Sequence, residues 1–124
     1  MPWRPSASSS RERNPSVIPQ LTPTELVKWR SDPQREPPLV VDVREPWELG
    51  VCRIDDTRHV PMAQLPSEVA SLPRERDIVL VCHHGRRSMH AGLWLRNIGF
   101  ERVHNLQGGI AAWASEVDPA MPRY

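Results

Sequence analysis

The sequence predicts an α/β protein with a mostly parallel sheet sandwiched between helices. Three observations carry that prediction. Short runs that are almost wholly apolar recur along the chain, as in strands covered on both faces. Segments of helical period separate them. One run, Ile78 to Val81, leads through a short glycine-containing loop straight into a helical stretch.

In chain order, residues 1–16 are rich in Ser, Pro and Arg, with Trp3 as the only large apolar side chain after Met1. Such a segment cannot bury enough surface to offset its ordering entropy, so it is expected to be a disordered tail, with the domain proper over 17–124. Val17 to Leu21 is expected as a short edge strand. Thr22, Pro23 and Glu25 form a helix start: a threonine cap, a proline at the first position and the acid of a capping box. Leu26 and Trp29 share one face of that helix, and Ser31 to Pro38 is a polar surface loop.

Leu39 to Val43 reads as a buried strand, followed by a helical turn over Arg44 to Leu49. Val51 to Thr57 has no period, and Arg58 to Pro61 is a brief strand stopped by proline. Met62, Leu65, Val69 and Leu72 recur at three and four, which predicts an amphipathic helix that Pro66 kinks or begins. After the central unit, Met89, Leu93 and Ile98 are expected on one helical face, ended by Gly99. Arg102 to Leu106 is a further strand, Gly108-Gly109 a turn, and Ile110 to Trp113 the opening of a last helix. Asp118 to Tyr124 is expected to run extended along the body.

Composition excludes several function classes. Acids and bases nearly cancel, 15 against 16, so no global field points to nucleic acid or a membrane surface. No apolar run approaches the roughly 20 residues of a membrane span, and no secretory signal opens the chain. Two cysteines, Cys52 and Cys82, cannot build a disulfide framework; reduced thiols in a cytoplasmic protein are expected.

The chemistry is placed at Cys82. In an open α/β sheet, ligands bind at the carboxyl ends of strands, and Cys82 ends one just before a helix start. A free thiol has a pKa of about 8.5 and is only roughly 3% ionised at pH 7. Unpaired helix N–H groups, with Arg86 and Arg87 nearby, favour the thiolate. Gly85 lets the loop curl so that its amides face inward as an anion-binding nest. Against this stands an inert buried cysteine at a strand end. His83 and His84 either act as a base or line the rim of the site. No His/Cys pair has metal-ligand spacing, so neither metal nor cofactor is expected. Asp42 and Arg44 end the earlier strand on the same sheet edge and are taken as site support. There Asp42 either accepts a bidentate bond from Arg87 or merely caps its own loop. Cys52 is a small buried hydrophobe or a resolving thiol. Trp47, Trp94 and Trp113 are expected as core or rim packing.

Three separated stretches resemble the rhodanese superfamily of sulfurtransferases: Val40 to Glu48, Cys82 to Ser88, and Asn105 to Trp113. Their order and spacing match, and so does the ending Asp118-Pro119 to Tyr124. The resemblance covers residues 18 to 124 and implies a rhodanese-like domain with a five-stranded, mostly parallel sheet. It implies that Cys82 becomes a persulfide. The loop backbone from His83 through Gly85 to Ser88 would then cradle the sulfur and the oxyanions of a donor such as thiosulfate, with Arg86 and Arg87 assisting. The implied partners are a small anionic sulfur donor and a thiol or protein-cysteine acceptor, with the chain a monomer or weak homodimer. Four residues separate Cys82 from Arg87, where related phosphatases carry five, so the loop resembles that of the sulfur-transferring group. A phosphatase or arsenate reductase is the rival enzyme class, and an idle binding or regulatory module the rival outside enzymology. One stretch departs: where the family usually has Gly-His-Ile-Pro-Gly-Ala, this chain has Cys52-Arg53-Ile54-Asp55-Asp56-Thr57. That departure is expected to alter the path of the connection and to set two acids near the site.

Overall fold

Apolar runs become strands here because both of their faces are covered. A computed structural model describes residues 17–124; the expected tail over 1–16 lies outside them. The strands are β1 (Gln20–Leu21), β2 (Leu39–Asp42), β3 (Arg58–His59), β4 (Ile78–Val81) and β5 (Val103–Leu106). They form one five-stranded sheet in the order β1-β5-β4-β2-β3, with every pairing parallel. The helices are α1 (Pro23–Ser31), α2 (Pro46–Val51), α3 (Leu65–Glu68), α4 (Arg86–Asn97) and α5 (Gly109–Glu116).

Alternation along each strand divides the core into two layers. Ile78, Leu80 and Cys82 face the α4 side with Val41, Ala91 and Leu95. Val79 and Val81 face the other side with Leu26, Trp29, Ile110 and Trp113. All four β4 residues are fully buried, which is why Ile78 to Val81 reads as a continuous apolar run.

The α1 cap forms as its sequence dictates. Thr22 accepts from the Glu25 amide, Glu25 accepts from the Thr22 amide, and Pro23 opens the helix. Met62 to Leu72, by contrast, is not one helix, and of the two roles open to Pro66 it takes the second, in the first turn of α3. A 3₁₀ turn over Met62–Gln64, the single turn α3 and a second 3₁₀ turn over Val69–Ser71 replace it. A helix begun at Met62 needs an N–H at Pro66 to bond the Met62 carbonyl, and proline has none. Pro73 then holds Leu72 extended, at φ −87° and ψ 136°. Leu65 and Leu72 still reach the core.

The buried face of α4 also differs from the expected stripe. It is Ser88, Ala91, Gly92 and Leu95; Met89 and Leu93 flank the core and Ile98 is exposed. Small residues let the helix approach closely: a Cβ on Gly92 would stand 2.1 Å from Ile18 Cδ1. A search for large apolar side chains passes over such a face.

The connection from Cys52 to Thr57 keeps a glycine-like path without glycine. Asp56 sits at φ 59° in the left-handed region, which aspartate tolerates better than most residues. Arg30 Nη2 donates to the Asp55 and Asp56 carbonyls at 2.8 and 2.9 Å. Both acids lie at the entrance to β3, the amino-terminal end of a parallel strand, whereas Cys82 leaves the carboxyl end of β4. The expected pair of acids beside the site is therefore absent among the described residues.

Replacing Asp56 with glycine is expected to relieve the left-handed backbone, partly offset by unfolded-state entropy. The net change is neutral to about 1 kcal/mol stabilising, while Asp56→Val costs about 1–2 kcal/mol. Urea unfolding of the two variants checks this, and a glycine variant as weakened as the valine one would contradict it.

Candidate active site

The loop between β4 and α4 is shaped by what holds its carbonyls. Ile110 and Ala111 at the start of α5 donate their amides to the Cys82 and His83 carbonyls at 2.9 and 3.0 Å. These contacts draw the carbonyls toward α5 and leave loop amides for the other side. Gly109 makes the approach feasible: at φ 59°, a Cβ there would stand 2.3 Å from the Cys82 carbonyl oxygen. Gly85, at φ 98°, turns the loop into α4.

Cys82 Sγ consequently faces donors. The Gly85 amide lies at 3.1 Å, the Ser88 amide at 3.4 Å and the Ser88 hydroxyl oxygen at 3.3 Å. Although Cys82 as a whole is buried, it contributes to the wall of a cavity of about 210 Å³ shared with His83, His84, Arg86 and Arg87. The inward-facing amides anticipated from Gly85 are thus observed at Gly85 and Ser88. Among the described residues no histidine bonds to the sulfur. His83 instead stacks between the rings of His84 and Tyr124, 3.9 Å from each. Burial, then the neighbouring His84, hold its pKa below the ordinary value.

Of the two roles open to Asp42, the bidentate bond from Arg87 is not made; its carboxylate instead accepts from the Arg44 amide at 3.0 Å, capping its own loop. Arg87 forms a bidentate pair with Glu48 at 2.7 and 2.8 Å, and Asp42 pairs with Arg44. The reason is geometric: Asp42 and Arg44, two apart on extended chain, project to the same side, whereas Arg87 at the start of α4 reaches out to α2. Arg44 is fully buried and its donors are matched in turn. Nε and Nη2 bond the Asp42 carboxylate, Nη2 also the Cys52 carbonyl at 2.9 Å, and Nη1 the Tyr124 hydroxyl oxygen at 2.9 Å. Burial alone would lower the guanidinium pKa; hydrogen bonds to Asp42 and Tyr124 outweigh it and leave the pKa raised.

Tyr124 continues the chain of contacts by donating to Glu48 Oε1 at 2.7 Å. Its phenol is pushed up to about 12, by burial first. Glu48 is held at about 2, chiefly by its bond to Arg87. Glu48, Tyr124 and Asn105 join the site without having been given a role there from sequence, although each lies in a stretch that resembles the family. The spacing of Glu45 and Glu48 carried a further, local signal, and the capping box they form is present.

Trp113 is buried and Trp94 packs against the core, as expected. Trp47 is 63% exposed and meets Tyr124 edge-on, so it belongs to the rim. Cys52 and Cys82 are both free and belong to opposite core layers, which leaves Cys52 the role of a small apolar residue. Among the described residues, no three His, Cys, Asp or Glu side chains gather as metal ligands. None of the described helices is long and apolar enough to cross a membrane. A larger groove of about 400 Å³ lies between β1 and α1. Its acids are engaged locally, Glu25 in the α1 cap and Asp32 with the Gln34 amide, and it holds no nucleophile.

The sequence profile of the rhodanese-like domain matches residues 22–116. The chain is 42% identical over 76 residues to a sulfurtransferase of Allochromatium vinosum, covering 61% of this chain and 71% of that protein. It is 32% identical over 75 residues to the thiosulfate sulfurtransferase GlpE of Stutzerimonas stutzeri, covering 60% and 69%. It spans only 30% and 26% of two longer relatives. A rhodanese-like domain protein of Staphylococcus aureus has the same fold at a TM-score of 0.73, with 27% identity over 81% of this chain and 95% of that one.

Two outcomes follow from the buried charges. Arg44→Met strands the Asp42 carboxylate and is expected to cost about 3–5 kcal/mol in urea unfolding; replacing the pair together, Asp42→Leu with Arg44→Met, costs less. The Glu48 pKa of about 2 lies below its ordinary 4.5. Its stabilisation is therefore full above pH 4.5 and drains as pH falls toward 2. It amounts to at most about 3 kcal/mol, reduced by salt because the Arg87 side chain is 40% exposed. Glu48→Gln should flatten stability against pH within that window, and an unchanged slope would contradict the assignment.

Proposed function

The chain belongs to the rhodanese-like family, and from that membership we propose that it is a sulfurtransferase working through a persulfide on Cys82. One observation carries the reading: Cys82 Sγ lies within reach of the Gly85 and Ser88 amides, at 3.1 and 3.4 Å, beside an open cavity. Amides fixed in that direction favour negative charge on sulfur without reorganising.

The Cys82 thiolate attacks the outer sulfur of a donor such as thiosulfate, its proton having left to solvent. A bond forms between Sγ and that sulfur as the bond to the sulfonate sulfur breaks, and sulfite departs with the electron pair. A thiophilic acceptor then attacks the outer sulfur: cyanide in an assay, a thiol or protein cysteine in a cell. The thiolate is regenerated as the sulfur leaves.

His83, His84 and the loop from Gly85 to Ser88 bound the space in which donor oxygens sit. The two arginines contribute unequally. Arg87 is committed to Glu48, whereas among the described residues no carboxylate pairs with Arg86. Arg86 therefore supplies the uncompensated charge that draws an anionic donor. Asp42 and Arg44 support the site from behind, through Tyr124 and Glu48. The length of the loop, four residues between Cys82 and Arg87, resembles that of the sulfur-transferring group and supports this chemistry over phosphoryl transfer.

Incubation with thiosulfate followed by intact mass measurement should add one sulfur atom, released by cyanide and absent in Cys82→Ser. An unchanged mass across several sulfane donors would sink the reading. Arg86→Ala should raise KM for thiosulfate about fivefold, as an exposed ion pair of roughly 1 kcal/mol predicts. The effect should shrink at high salt with kcat kept.

A further inference from the structure

Asn105 is buried in β5, only 1% exposed, and its hydrogen bonds fix where the single proton of Ser88 points. Its Nδ2 donates to the Gly85 carbonyl and to Gln20 Oε1, each at 3.0 Å. A backbone carbonyl only accepts, so the amide nitrogen must face Gly85 and the amide oxygen must face Ser88. That oxygen carries no proton, so the bond between Ser88 Oγ and Asn105 Oδ1 requires the hydroxyl to donate. A serine hydroxyl has one proton to give. The same Oγ lies 3.3 Å from Cys82 Sγ, and toward sulfur it therefore presents a lone pair. This suits a thiol, whose S–H donates to Oγ. It does not suit a thiolate, which has only the Gly85 and Ser88 amides as donors.

We propose that Asn105 is a positioning residue that withholds the Ser88 proton from the Cys82 sulfur, so that the bare thiolate is held by the two amides alone and gains less than it would with the hydroxyl turned toward it, a loss the persulfide does not share. This deepens the proposed function and rests on its reading of Cys82 as the nucleophile. When the thiol ionises, its proton passes to solvent. The Ser88 hydroxyl reaches the charged sulfur only by turning away from Asn105 Oδ1, leaving a buried acceptor unpaired. In the persulfide, negative charge moves to the outer sulfur, Sγ becomes a neutral bridging atom, and Ser88 keeps its bond to Asn105. The device holds the enzyme toward its sulfur-loaded form. The other charged and titratable groups around the loop are His83, His84, Arg86 and Arg87, which share the cavity with Cys82, and Glu48 and Tyr124, which are linked to Arg87 by hydrogen bonds. All remain in place in the variants below and form a common background.

The test is the pH dependence of iodoacetamide alkylation in the full chain, with the adduct read on the Cys82 peptide so that Cys52 does not contribute. Asn105→Ala, or the near-isosteric Asn105→Leu, frees the hydroxyl and should lower the midpoint by about one pH unit. In a Ser88→Ala background the same replacement should move nothing. Ser88→Ala alone should leave the midpoint in place or lower it slightly, because the hydroxyl it removes was not donating to sulfur and was only accepting from the thiol; this arm does not depend on an Asn105 variant folding. A rise of about one unit in Ser88→Ala overturns the proposal. So does a downward shift from Asn105 replacement that persists without the hydroxyl, or no downward shift at all. Alkylation needs no sulfur donor, so a wild-type protein that never takes up sulfur refutes the proposed function separately.

Discussion

A guanidinium with no solvent around it must find a partner for every donor, and Arg44 imposes that requirement on the rest of the site. Fully buried beside Asp42, it draws in the Cys52 carbonyl and the Tyr124 hydroxyl. Tyr124 is thereby positioned to donate to Glu48, and Glu48 in turn holds Arg87 at the start of α4. The ionic pair itself contributes little net stability, because desolvation cancels most of the attraction. What it supplies is geometry: one arrangement of β2, α2 and the segment ending at Tyr124 leaves no charge unmatched.

The cysteine loop is held from two further directions. The first amides of α5 take the Cys82 and His83 carbonyls, which frees loop amides to face the sulfur. Asn105 grips the Gly85 carbonyl from β5. Both supports come from the carboxyl end of β5 and the helix that follows it, which the parallel sheet sets beside the carboxyl end of β4. This is why a short, glycine-containing loop keeps one shape without help from a metal or disulfide among the described residues.

Side chains that departed from the family pattern proved to lie away from this edge. Asp55 and Asp56 occupy the opposite end of the strands, and Asp56 adopts the left-handed conformation that glycine usually supplies. Arg30 secures the turn through its carbonyls. The substitution thus exchanges conformational freedom for a side-chain tether, without disturbing the electrostatics around Cys82.

The sequence by itself determined the strands, the α1 cap, the place of Cys82 and the left-handed glycines around it, because these depend on burial on both faces, on local capping and on backbone sterics. Pro66 was visible as a helix breaker, but whether it kinked or began a helix depended on which carbonyl would have been its partner. The buried face of α4 escaped notice because Gly92 and Ala91 matter through closeness, not hydrophobicity. Only the tertiary structure decided that Arg87 pairs with Glu48, and that Tyr124 and Asn105 belong to the site. Those partners are separated by 39, 76 or more residues in several of these bonds, and a long-range choice among several acids and bases is made by the directions in which packed elements point, which no local pattern encodes.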